Sequence, residues 1–295
     1  MPGEAPTAVR PLLEDATARL AAAGVESPSA DARLLLAHVL GVELSRLPLV
    51  DEVAPSQVGE YGELVARRAA REPLQHLTGA AWFRHVQLAV GPGVFVPRPE
   101  TELLAGWAVE QAIEASSGVA EPVVVDLGTG SGAIALAVAD EVPHARVHAV
   151  ELDPAAHAWA ARNLAGTGVD LRQGDLGSAF DELAGSVDVV VSNPPYIPHE
   201  AWESVAAEVR DHDPQLALYA TGDGLDVIRV VERRAALLLR PGGVVGVEHA
   251  DAQGESAPAV FTRSGRWEQV RDHPDLTGRA RFVTARAVPC GLPDR

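Results

Sequence analysis

The chain contains no lysine: all 24 of its cations are arginine, set against 41 carboxylates for a formal net charge of −17. Sequence-independent binding to nucleic acid rests on cations meeting phosphates. So acidic a chain is a poor generic DNA or RNA binder, and a protein substrate fits better. Arg67, Arg68 and Arg71 form the one small basic cluster, which reads as a solvated helix end as readily as a docking patch. A single cysteine, Cys290, excludes an intrachain disulfide. Every long apolar run is broken by a charge, proline or glycine well short of the ~20 residues that a membrane helix needs. The start, Met1 to Pro6, has neither a basic nor an apolar signal region, so no secretory signal and a cytoplasmic location are expected. The ten histidines are scattered, and the pair Glu248-His249 makes no three- or four-ligand set. A structural role is expected for that pair, and no metal. Ser131 stands in G-T-G-S-G, which is not the pattern of a nucleophile elbow, and simple capping of the following helix is expected of it.

What the chain does have is concentrated at Asn193-Pro194-Pro195-Tyr196. The preceding run, Val187 to Ser192, is rich in β-branched residues and lacks a helical period, which predicts a buried strand. Two prolines cannot continue it, because each lacks an N–H and has φ held near −65°. The strand must end in a rigid turn at its carboxyl end, where ligands bind in open α/β sheets. That turn suits a planar group bearing –NH2. The Asn193 side-chain oxygen and the Pro194 carbonyl can each accept one N–H, and the Tyr196 ring can lie against the flat face. Two such acceptors favour the geometry in which the nitrogen lone pair points at an electrophile.

Upstream, Val123 to Leu127 predicts a second strand, followed by Gly128-Thr129-Gly130-Ser131-Gly132 and an alanine-rich helix. Glycines allow a sharp turn and close approach to a ligand, and the helix start adds N–H groups. Glu151 ends the next strand, placed to accept hydrogen bonds from both hydroxyls of a ribose. Gly128, Gly130 and Ala133 also satisfy the dinucleotide fingerprint, so an NAD-dependent oxidoreductase competes. Hydride transfer leaves Asn193 to Tyr196 without a task, however. An adenosyl cofactor with an electrophilic methyl on sulfonium uses both sites.

Asp126-Leu-Gly-Thr-Gly-Ser-Gly-Ala with Asn193-Pro-Pro-Tyr resembles a class I S-adenosylmethionine methyltransferase acting on a planar-amine nitrogen. With His76 to Gly79, Val94 to Glu102, Glu248-His249 and Arg281 to Arg286, the likeness is to the release factor glutamine methyltransferases of the HemK/PrmC type. The resemblance implies an α/β fold, a seven-stranded Rossmann-like methyltransferase sheet with a small N-terminal all-helical domain. It implies S-adenosyl-L-methionine as cofactor, held by Gly128, Thr129, Gly130, Ser131, Gly132, Glu151, Asp175, Leu176 and Asn193. Asp175 matches the residue near the adenine amino group, and Leu176 stands where some members have a large aromatic. Asn193, Pro194, Pro195 and Tyr196 match the glutamine-binding residues, with Asn193 and Tyr196 catalytic and Phe95 as an aromatic wall. The implied reaction is methyl transfer to the glutamine of the Gly-Gly-Gln motif in peptide chain release factors. An adenine-N6 nucleic-acid methyltransferase, which shares the Asn-Pro-Pro-Tyr motif, remains the first alternative.

Residues 1–83 are expected to be helical and to recognise substrate. Val9, Leu12, Leu13, Ala16 and Leu20 form one apolar stripe. Further helices are predicted from Ser29 to a C-cap at Gly41 and over roughly Pro55 to Ala70. A linker or short hairpin over 84–99 leads into a methyltransferase domain reaching 295. The strands near Trp267–Val270 and Arg281–Ala285 have no helix between them and are expected to be antiparallel.

Overall fold

The computed structural model describes residues 5–119, 121–198, 201–202 and 207–288; Cys290 lies outside them. The chain divides into two compact units, Met1–Ala80 with Ala206–His212, and Ala81–Val205 with Asp213–Arg295.

In the first unit α1 (Val9–Ala22), α2 (Pro28–Leu40), α3 (Pro55–Ala69) and α4 (Leu74–Thr78) enclose a core that includes Ala16, Leu20, Leu35, Leu36 and Val65. The α1 stripe predicted from its spacing supplies Val9, Ala16 and Leu20 to that core. Gly41 ends α2 at φ 64°, a left-handed cap that favours a residue without a Cβ. The unit is helical apart from a two-residue antiparallel pairing of Thr7–Ala8 with Glu52–Val53. Within the arginine cluster Arg67 is exposed, whereas Arg68 is buried and Arg71 half-buried. Arg68 is 8% exposed and donates to Asp31 at 2.8 Å and to Glu208 at 3.0 Å. Arg71 donates to Glu208 at 2.6 Å, and Arg67 pairs with Glu72. Glu208 lies on the short helix Ala207–His212, which nothing in its sequence assigns to this unit.

The second unit opens with a hairpin, β1 (Ala80–Phe83) and β2 (Val86–Ala89). Then α5 (Thr101–Ala115) leads into β3 (Val123–Leu127), α6 (Ala133–Glu141), β4 (Arg146–Glu151), α7 (Pro154–Asn163), β5 (Asp170–Gln173) and β6 (Val187–Ser192). It continues through α8 (Asp226–Leu238), β7 (Leu239–Glu248), α9 (Ser256–Ser264), β8 (Trp267–Pro274) and β9 (Ala280–Ala287). The seven-stranded sheet has the order β8-β9-β7-β6-β3-β4-β5. Strands β7, β6, β3, β4 and β5 run parallel, and β9 is antiparallel to both β7 and β8. The N-terminal helical unit and this sheet match the predicted fold class.

Helices cover both faces, which explains why β3 and β6 are almost continuously apolar. Alternation sends Val124, Val189 and Val191 to one core and Val123, Val125 and Val190 to the other. The central strands admit no extra volume at Gly246 of β7. A Cβ there would collide with the Trp107 ring and approach Leu104 Cδ1 to 2.9 Å. Gly246→Ala is therefore expected to destabilise the protein by about 1–3 kcal/mol, read from the midpoint of urea unfolding at unchanged slope. Among the described residues no helix is long and apolar enough to cross a membrane.

Candidate active site

Strand order reverses between β3 and β6. From β3 the chain steps outward to β4 and β5, then returns to place β6 on the other side of β3. The two strands are parallel neighbours with Asp126 opposite Val191. The Ser192 hydroxyl donates to the Leu127 carbonyl at 2.6 Å. The glycine loop after β3 and the turn after β6 therefore leave the sheet side by side at its carboxyl edge, the crevice where ligands bind in such sheets.

The loop is shaped by its own buried groups. Gly128, Gly130 and Gly132 all have positive φ, at 75°, 59° and 85°, where a side chain is disfavoured. A Cβ on Gly130 would meet no atom within 4 Å, so the space above the loop is open to a ligand. The buried Asp126 carboxylate accepts from the Thr129 hydroxyl at 2.6 Å and from the Ala135 N–H at 3.2 Å. Thr129 also donates its N–H to the Val150 carbonyl, so both its polar hydrogens serve the loop itself. Ser131 is 3% exposed, and its carbonyl accepts from Asn163 Nδ2 at 2.9 Å. Ser131 does not cap α6; Gly132 stands at that position with no side-chain cap.

Glu151 takes the Gly130 N–H on Oε2 and the Asp153 N–H on Oε1, each at 2.8 Å. A carboxylate oxygen accepts more than one hydrogen, so both keep capacity for ribose hydroxyls. Leu176 lies 3.7 Å from where a Cβ on Gly128 would be, which brings it to the loop. The exposed Asp175 accepts the Gly177 N–H at 2.7 Å, a turn contact that engages Oδ1.

Across the crevice, Asn193 Nδ2 donates to the Thr101 hydroxyl oxygen at 3.1 Å. Tyr196 packs against the sheet core, and its hydroxyl donates to Glu248 Oε1 at 3.1 Å. Gln253 Nε2 holds the Tyr196 carbonyl at 3.2 Å. Gly224 at φ 78° permits this, since a Cβ there would sit 2.6 Å from the Tyr196 carbonyl oxygen. Phe95 is half-buried between the fully buried Val94 and Val96. Its described ring partner is Arg98, whose guanidinium carbon lies 5.0 Å from the ring centre and whose Nη2 donates to Asp213 at 2.6 Å.

Two carboxyls here titrate near neutrality. Burial pushes Asp126 up to about 7, partly opposed by the Thr129 and Ala135 hydrogen bonds. Burial likewise pushes Glu248 up to about 7 against Thr101, Tyr196 and Arg281. Tyr196 is raised well above its ordinary range by burial and then by the Glu248 charge. A carboxyl with a raised pKa in the folded chain gives stability that is complete below its unfolded value near ~4 and lost as pH rises through the folded value. Stability should therefore decline from about pH 4 to about 7, and Asp126→Asn should flatten that decline, measured by urea midpoints across the range.

Sequence reasoning did not single out Thr101 and expected a structural role for Glu248. Both stood in motifs already visible, and the structure brings them to Asn193 and Tyr196. Leu152, 51% exposed directly after Glu151, and Asn163, which also accepts the Ala89 N–H at 2.8 Å, were not singled out by the sequence either. Among the described residues no three His, Cys, Asp or Glu side chains gather as metal ligands.

A family profile described as the PrmC N-terminal domain matches residues 11–79, and one described as the methyltransferase small domain matches residues 109–222. A release factor glutamine methyltransferase of Streptomyces coelicolor is 59% identical over 93% of this chain and 96% of that protein. A 4-amino-L-phenylalanine/4-methylamino-L-phenylalanine methyltransferase of Streptomyces pristinaespiralis is 44% identical over 93% of this chain and 94% of its own. The solved hMettl16 catalytic domain, in complex with MAT2A 3'UTR hairpin 6, shares the fold at a TM-score of 0.52 and 15% identity, over 77% of this chain and 82% of that one.

Proposed function

Because the chain belongs to the release factor glutamine methyltransferase family, we propose that it transfers a methyl group from S-adenosyl-L-methionine to the side-chain amide nitrogen of the glutamine in the Gly-Gly-Gln motif of a peptide chain release factor. The observation that carries this reading is the Asn193 amide. Its donor end is engaged by Thr101, which leaves Oδ1 as the acceptor for an N–H.

The open glycine loop, the Glu151 carboxylate and the apolar Leu152 and Leu176 fit an adenosyl cofactor. Bound S-adenosylmethionine supplies an electrophilic methyl on sulfonium, a good leaving group. Asn193 and the Pro194 carbonyl would hold the amide hydrogens, Tyr196 and Phe95 would border its plane, and no strong base is needed. The gain is alignment, for which well-placed reactants recover up to about 7–11 kcal/mol of the barrier. Nucleic acid is a poor fit as acceptor, given a net charge of −17, and a cytoplasmic location follows from a release-factor substrate.

A second reading rests on the relative named for 4-amino-L-phenylalanine, whose amine also sits on a planar conjugated group. The two are separated by offering methyl-labelled cofactor with an unmodified release factor, its Gln→Ala variant at Gly-Gly-Gln, 4-amino-L-phenylalanine, and mixed DNA and RNA. Label in the release factor but not its variant is expected. Label only in the amino acid or in nucleic acid would keep the cofactor and overturn the substrate.

A further inference from the structure

Thr101 and Glu248 are two buried polar groups that meet the turn after β6, the first at Asn193 and the second at Tyr196. Thr101 opens α5, is 4% exposed, and receives the Asn193 Nδ2 hydrogen. Glu248 closes β7, is 2% exposed, and receives the Tyr196 hydrogen on Oε1. Its Oε2 is buried without a hydrogen-bond partner among the described residues. Thr101 is among the groups that hold the Glu248 carboxyl down against its burial.

Three properties of these groups make the arrangement directional. A threonine hydroxyl has one hydrogen, an ionised carboxylate only accepts, and a primary amide has one donor end and one acceptor end. With Glu248 ionised, the Thr101 hydrogen is drawn to the carboxylate, and its oxygen meets Asn193 with lone pairs. Only the Nδ2 end of Asn193 complements a lone pair. We propose that Thr101 and Glu248 are positioning residues that lock the Asn193 amide with Oδ1, and not Nδ2, presented to the methyl acceptor. This rests on the reading of Asn193 as the acceptor for a substrate N–H.

Groups from each neighbouring element bear on the Glu248 charge. Burial and Glu100 favour the protonated form, while Thr101, Tyr196 and Arg281, itself paired with Asp275, favour the ionised one. The adjacent His249 is engaged by Asp272 and the Ala250 carbonyl. A protonated Glu248 donates to Thr101, whose own hydrogen then turns to Asn193 Oδ1 and occupies the acceptor. Gln at 248 offers the same donor permanently.

The test is steady-state methylation by wild type, T101V, T101S and E248Q at saturating S-adenosylmethionine, across about pH 6 to 9, with cofactor Kd measured by calorimetry. T101V and E248Q are expected to lower kcat about tenfold or more with Kd changed less than about threefold, while T101S retains most activity. Wild-type kcat should fall as pH drops through about 7, and T101V should lack that limb. T101V at wild-type kcat, T101V with the wild-type limb, or T101V that no longer binds cofactor would each overturn the proposal. Variants are compared with wild type on whichever acceptor wild type methylates. An error in the substrate therefore appears as an unlabelled release factor and leaves the variant ratios readable.

Discussion

Asn193→Ala is expected to lower kcat by about 100-fold or more, with affinity for S-adenosylmethionine nearly unchanged. The side chain is held from behind by Thr101 at 3.1 Å, and the strand before it is tied to β3 through Ser192. It enters the reaction already oriented, which is the condition under which one polar group contributes most to a barrier. Alanine removes the acceptor and leaves Thr101 without its donor, while the glycine loop and Glu151 are untouched. Single-turnover methyl transfer, compared with calorimetric cofactor binding, separates the two effects. Near-normal turnover would end the role assigned to Asn193.

Glu151→Ala should act on the other half of the site. Its carboxylate organises the loop through Gly130 and the following turn through Asp153, both at 2.8 Å. A hydrogen bond to a charged group is worth about 1.5–3 kcal/mol, so losing one to the ribose should raise the Kd for S-adenosylmethionine on the order of 10- to 150-fold. Because the turn after β6 is unaffected, kcat at saturating cofactor should change far less than in Asn193→Ala. A Kd within about threefold of wild type would show that this acid serves only the loop.

The two motifs were legible in the sequence because their constraints are covalent and local. Pro194 and Pro195 cannot continue a strand, and three alternating glycines permit a loop of positive φ, as observed at 75°, 59° and 85°. The alternating strands and helices implied a parallel sheet, and the helix-free link between Trp267 and Ala287 implied the antiparallel pair observed there. Arg68 was misjudged for the opposite reason. Its partners Asp31 and Glu208 lie 37 and 140 residues away, so nothing in its neighbourhood marks it as buried.

The sequence by itself determined the element order, the glycine loop, the rigid turn and the family likeness, because short-range stereochemistry and hydrophobic period act without regard to the rest of the chain. Only the tertiary structure decided which side chains face them. Thr101 meets Asn193 across 92 residues, and Tyr196 meets Glu248 across 52. Those meetings depend on strand order: β6 and β7 lie side by side in the sheet, and so bring the turn after one to the end of the other. Burial then turns an unremarkable glutamate into a group that titrates at about 7, a property that belongs to its surroundings and not to its residue type.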